Sequence, residues 1–245
     1  MNSVSKAGVA DGLRNTAAAL LVIGLVIGSE YFFRHYVLFW LPTIGNLAVN
    51  DMLALFLVYV LLTVGLGMLL HVNWKQEWTG IGRALREGAA SWEFTGFLMA
   101  LVFGTLLLSV ADQLLWGNVR LPMVVSPYRN PAVWLAGAAF WLEVVSRLLV
   151  NGVFVPVAEE FLWRGVAQER LLRVFSAPVA IGLTAVLFSL KHALVDASLG
   201  RLLAIVAFGI VCGIVARRGN WNRSAALHII VNTVATIATI VMGLV

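Results

Sequence analysis

Seven runs of mostly apolar residues, over roughly 16–34, 51–71, 95–115, 142–162, 178–197, 200–217 and 224–244, constrain this chain more than any other feature. Each is close to the roughly 20 residues that an α-helix needs to cross a bilayer's hydrocarbon. Composition agrees: 61% of the 245 residues are hydrophobic and 12% are charged, an apolar share well above that of a soluble domain. The expected fold is therefore an all-α polytopic membrane protein, a bundle of about seven transmembrane helices, with eight as the alternative. It forms one membrane domain over 1–245, in which 1–125 supply N-terminal accessory helices.

The formal charge of +5 does not point to nucleic acid, because the basic residues are scattered through the short polar gaps instead of forming one patch. They report topology. With the N-terminus in the cytoplasm, the inner segments hold Lys6, Arg14, Lys75, Arg83, Arg86, Arg164, Arg170, Arg173, Arg217, Arg218 and Arg223; the outer ones hold Arg34, Arg120, Arg129 and Arg201. That asymmetry favours seven spans with the N-terminus inside. The N-terminus, "MNSVSKAGVADGLRN", lacks the features of a cleaved signal, so the first run is expected to stay as a span. The single cysteine, Cys212, allows no internal disulfide and reads as a packing residue.

Residues 132–173 are too long for one crossing, about 63 Å as a straight helix against about 30 Å of hydrocarbon. The first third, with Trp134 and Trp141, is expected along an interface, and Glu143 with Arg147 reads as a structural i,i+4 pair. Splitting this segment at Asn151-Gly152 would give eight spans and weaken the charge bias. The loop "VNWKQEWTGIGRALREGAASWEF" reads either as a short helix lying on the inner membrane surface or as a solvated connection.

Ionisable groups at membrane depth are costly unless paired or set against water, so each is a site hypothesis. Three groups stand out in the second half: Glu159-Glu160 with Arg164, Phe188 with His192, and His228 with Asn232. Residues four apart share a helix face, so Glu160 can pair with Arg164. Glu159 is rotated about 100° away and is left for chemistry, as a general base towards water. His228 and Asn232 present an imidazole and an amide side by side, able to donate to a developing oxyanion. Two other readings use the same residues: a zinc site built from Glu159, His192 and His228, and a non-catalytic protein whose polar groups hold helices together. A transporter is a weaker form of the latter, without the paired broken segments expected of one.

"EEFLWR", "FSLKH" and "HIIVN" fit E-E-x-x-x-R, F-x-x-x-H and H-x-x-x-N in the order that marks the CPBP (Abi) family. The chain thus resembles intramembrane proteases similar to type II CAAX prenyl endopeptidases, over a catalytic core of about 130–245. The resemblance implies a glutamate-type endopeptidase in which Glu159 and His192 activate water, His228 and Asn232 stabilise the oxyanion, and Glu160, Arg164 and Phe188 support them. It implies no cofactor and no metal, with zinc as the alternative. The partners would be the lipid bilayer and a membrane-associated peptide or protein, prenylated or bacteriocin-like, with no nucleic acid. The implied location is a bacterial inner membrane; the non-enzymatic counterpart is a bacteriocin-immunity or scaffold protein. One conflict stands within this reading. His192 lies fourteen residues beyond Pro178, about 21 Å along a helix, whereas His228 is expected near the inner surface.

Overall fold

The computed structural model describes residues 6–88, 90–117, 119–121, 133–134 and 136–242. Eight helices carry the described chain. They are α1 (Lys6–Phe32, prolonged by a π-type stretch Phe33–Val37 and a last turn Leu38–Trp40), α2 (Leu47–Leu69), α3 (Trp74–Gly88), α4 (Trp92–Trp116), α5 (Ala139–Leu172), α6 (Ala177–Val195), α7 (Leu202–Arg218) and α8 (Trp221–Val241). Two-residue strands, β1 (Thr43–Ile44) and β2 (Val133–Trp134), pair in parallel.

Six of these helices, α1, α2, α4, α5, α6 and α8, are long and apolar enough to cross a membrane, and the protein is a polytopic membrane protein. The remaining expected run, 200–217, forms α7, whose 17 residues reach about 25 Å. Residues 139–172 remain one continuous helix, so the division at Asn151-Gly152 does not occur. Two π-type stretches, Arg147–Phe154 and Phe161–Gln168, widen the helix without breaking it, and such stretches are frequent at functional sites.

Local chemistry sets the helix starts. Asn46, Ser91 and Asn220 cap α2, α4 and α8 with their side-chain oxygens, and a proline stands in the first turn of α6. The cap of α7 comes from another helix: buried Asp112 of α4 accepts from Leu203 N and Ala204 N, each at 2.9 Å. Gly209 and Gly213 let α7 approach its neighbours closely. A Cβ at Gly209 would lie 2.9 Å from Ala185, and one at Gly213 2.7 Å from Gln168 Oε1. This small-x-x-x-small spacing suits helix packing where lipid offers no hydrophobic drive.

The loop after α2 is helical, as one of its two readings had it; part of its apolar face packs on protein, while Trp78 is 45% exposed. Ile81 packs with Val157, Ala225 and Ile229, and Trp74 meets Phe161 with ring centroids 5.0 Å apart. The Ile81 side of α3 covers protein because α8 presents Ala225 and Ile229 there.

Contacts sort the helix ends into two layers. At the end opposite the N-terminus, β1 pairs with β2, Arg120 bridges to Ser198, and Arg34 pairs with Asp51 and Asp196. At the N-terminal end, Glu93 pairs with Arg218 and Arg223, and Gly12 approaches Val174. Arg164 does not belong to that end layer. It is buried in α5 against Glu160, 3.3 Å away, which removes it from the inner charges; the remaining bias has the same sign.

Candidate active site

The middle of α5 organises the site. Glu159 and Glu160 end an α-type segment and the second π-type stretch begins at Phe161, so the two adjacent carboxylates point into different surroundings. Glu160 faces the packed interior. It lies 3.3 Å from Arg164 Nη1, accepts from Ser224 Oγ at 2.6 Å and meets His228 Nδ1 at 3.0 Å. With those three partners its charge is compensated at depth.

Glu159 borders a cavity of about 560 Å³, which His192, His228, Asn232 and Phe188 also line. Its Oε1 is held by Lys191 Nζ at 2.7 Å and by the Tyr59 hydroxyl at 2.8 Å. His192 Nε2 stands 4.0 Å from Oε1, and His228 Nε2 stands 3.8 Å from Oε2. Such separations are too long for direct hydrogen bonds and suit a bridging water. Oε1 is thus a structural anchor, and Oε2 is the atom presented to His228.

The histidines are set by their outer partners. Nδ1–H of His228 donates a hydrogen bond to Glu160 Oε1, which leaves Nε2 towards Glu159 and the cavity. Phe208 packs edge-on against that ring at 4.6 Å, and Phe188 does the same for His192 at 4.8 Å. Phe188 also lies under the Arg164 guanidinium, 4.6 Å from its centroid, so it separates the Glu160–Arg164 pair from the cavity.

A proline positions Asn232. Within the first π-type stretch Val155 N donates to Val150 O, five residues back. Pro156 is next in that register and has no N–H, so the Asn151 carbonyl is left without its helical donor. Asn232 Nδ2 takes that place at 3.1 Å. One amide proton is thereby committed and the second remains available.

The structure thus places Glu159, His192, His228 and Asn232 on one cavity, with Glu160 and Arg164 buried behind it. It also resolves the depth conflict. His228 is seven residues into α8, about 10 Å, while His192 is fifteen into α6, about 22 Å. Both side chains reach Glu159, so α8 starts deeper in the bundle, with α3 packed along its first turns.

Three groups that touch Glu159 or its partners are given no role in the site by the sequence alone. Lys191 lies 2.9 Å from Glu30 as well as 2.7 Å from Glu159, and Tyr59 bridges the same two carboxylates, reaching Glu30 Oε2 at 2.6 Å. Glu30 and Lys191 interrupt apolar runs and carried a detectable signal; a tyrosine in such a run carries none. The helices set aside as accessory, α1 and α2, therefore reach the centre of the site. Lys191 bears on zinc also. A metal held between Glu159 Oε1 and His192 Nε2 would meet Lys191 Nζ, which sits 2.7 Å from the first and 3.5 Å from the second. Among the described residues no group of three or more His, Cys, Asp or Glu is arranged to hold a metal ion.

Residues 129–234 match the family model described as type II CAAX prenyl endopeptidase Rce1-like. That span contains Glu159, Glu160, Arg164, Phe188, His192, His228 and Asn232, and excludes Glu30 and Tyr59. No curated protein and no solved structure matches the chain.

Proposed function

We propose, from the match of residues 129–234 to the Rce1-like type II CAAX prenyl endopeptidase model, that the protein hydrolyses a peptide bond of a membrane-associated substrate without a metal. The observation that carries this reading is the division of labour at Glu159: Oε1 is anchored by Lys191 and Tyr59, while Oε2 faces the cavity beside His228. A carboxylate held in this way can act as a general base.

A water held by Glu159 and His192 loses a proton to Glu159, and its oxygen adds to the substrate carbonyl carbon. The oxyanion that forms is met by the second amide proton of Asn232 and by His228 Nε2. Donation from Nε2 uses the ring with both nitrogens protonated, the Nδ1 proton being held by Glu160. Collapse of the adduct breaks the C–N bond, and Glu159 returns its proton to the leaving amine. Donors placed before the reaction stabilise developing charge without reorganisation, which is why they accelerate it.

Replacing Asn232 by Ala tests the oxyanion role. Cleavage of a quenched peptide library by the purified protein should lose about 10²–10³ in kcat, with KM little changed. A loss confined to KM would assign Asn232 to substrate binding instead.

A further inference from the structure

The cavity has a direction. Its wall is buried at Glu159, Phe188 and Lys191 and becomes open at Arg201, whose side chain is 63% exposed. The rim is made of Arg34 near the end of α1, Asp51 near the start of α2, Asp196 just after α6 and Arg201 just before α7. Every one of these lies in the end layer opposite the N-terminus. Below the rim, Ser109 and Thr105 of α4 face the cavity, as do Thr236 and Thr239 of α8, giving the passage hydroxyls that water can solvate. Lys191 is four residues from the end of α6, about 6 Å, so the reacting groups also sit towards that layer.

Charge identifies which side of the membrane this is. The N-terminal layer carries Arg14, Lys75, Arg83, Arg86, Arg170, Arg173, Arg217, Arg218 and Arg223. By sequence the other end carries fewer, Arg34, Arg120, Arg129 and Arg201. Cytoplasmic segments of membrane proteins carry the excess of Lys and Arg, which makes the cavity mouth extracytoplasmic.

We propose that the site takes peptide segments presented at the extracytoplasmic face of the membrane, next to a membrane anchor, and not a chain end delivered from the cytoplasm. The mixed-sign rim, Arg34 with Asp51 and Asp196 with Arg201, suits a polar peptide backbone leaving the bilayer. This assignment rests on the protease reading for its chemistry but not for its geometry.

Single cysteines test the geometry without any activity, since the native Cys212 is buried. In intact cells of a bacterial expression host, a membrane-impermeant maleimide should label Arg201→Cys and, independently, Val119→Cys. It should reach Arg83→Cys only after permeabilisation. The reverse pattern overturns the proposal. For the substrate, the same peptide library is fused to one side or the other of a single-span anchor and co-expressed with the wild-type chain or with Glu159→Gln. Cleavage confined to the extracytoplasmic fusion and lost in Glu159→Gln supports the assignment; cleavage confined to the cytoplasmic fusion overturns it while upholding the protease. Outside labelling at 201 with neither fusion cleaved counts against the protease reading and hence against the substrate class, leaving the orientation established.

Discussion

Glu159→Gln should abolish most peptide cleavage, by about 10²–10⁴ in kcat, while the unfolding temperature in detergent stays close to that of the wild type. Both halves of this expectation come from the same contacts. An amide oxygen at this position still accepts from Tyr59 and Lys191, now placed at 2.8 and 2.7 Å from Oε1. Lys191 also keeps Glu30 at 2.9 Å as a counter-charge. What is lost is the proton acceptor at Oε2. If the polar set only held helices together, as in an immunity protein or scaffold, the substitution would lower stability and no separate catalytic loss would appear.

Lys191→Met should behave differently, losing both cleavage and stability. Lys191 is 1% exposed and its ammonium lies between two buried carboxylates. Removing one partner of a buried ionic group leaves uncompensated charge, at a cost of about 3–5 kcal/mol, and it also frees Oε1 from its anchor. Arginine should not replace it, because a planar guanidinium cannot put one donor atom within 3 Å of both carboxylates in the space a point charge fills. Adding Glu30→Gln to Lys191→Met should recover part of the stability, since one of the two stranded charges is then gone, but little of the cleavage. Wild-type stability in Lys191→Met would contradict the clamp.

Much of the spanning architecture was legible because lipid imposes it: a helix crossing hydrocarbon needs a run of fixed length, and such runs survive any detail of packing. The carboxylate, imidazole and amide of Glu159, His228 and Asn232 were legible for the complementary reason, that polar groups at that depth require a purpose. Tertiary partners were not. Tyr59 gave no signal, and Lys191, inside "FSLKH", received no role although it holds Glu159. The i,i+4 rule found Glu160–Arg164, yet it could not show that Pro156 strips the Asn151 carbonyl of its donor and so fixes Asn232. That effect depends on a π-type register, which the pattern of apolar residues does not encode. The apolar face of α3 was visible in the sequence too, but whether it meets lipid or protein is decided by α8.

Cleavage should proceed by addition of water, activated at Glu159 without a metal, to a peptide carbonyl. The most direct test follows cleavage of the quenched library by chelator-treated wild-type protein in ¹⁸O-labelled water, with products read by mass spectrometry. An undiminished rate and one ¹⁸O atom in each newly formed carboxylate are expected from this mechanism. A rate that collapses on chelation and returns with zinc would contradict it, as would cleavage products without a newly formed, labelled carboxylate.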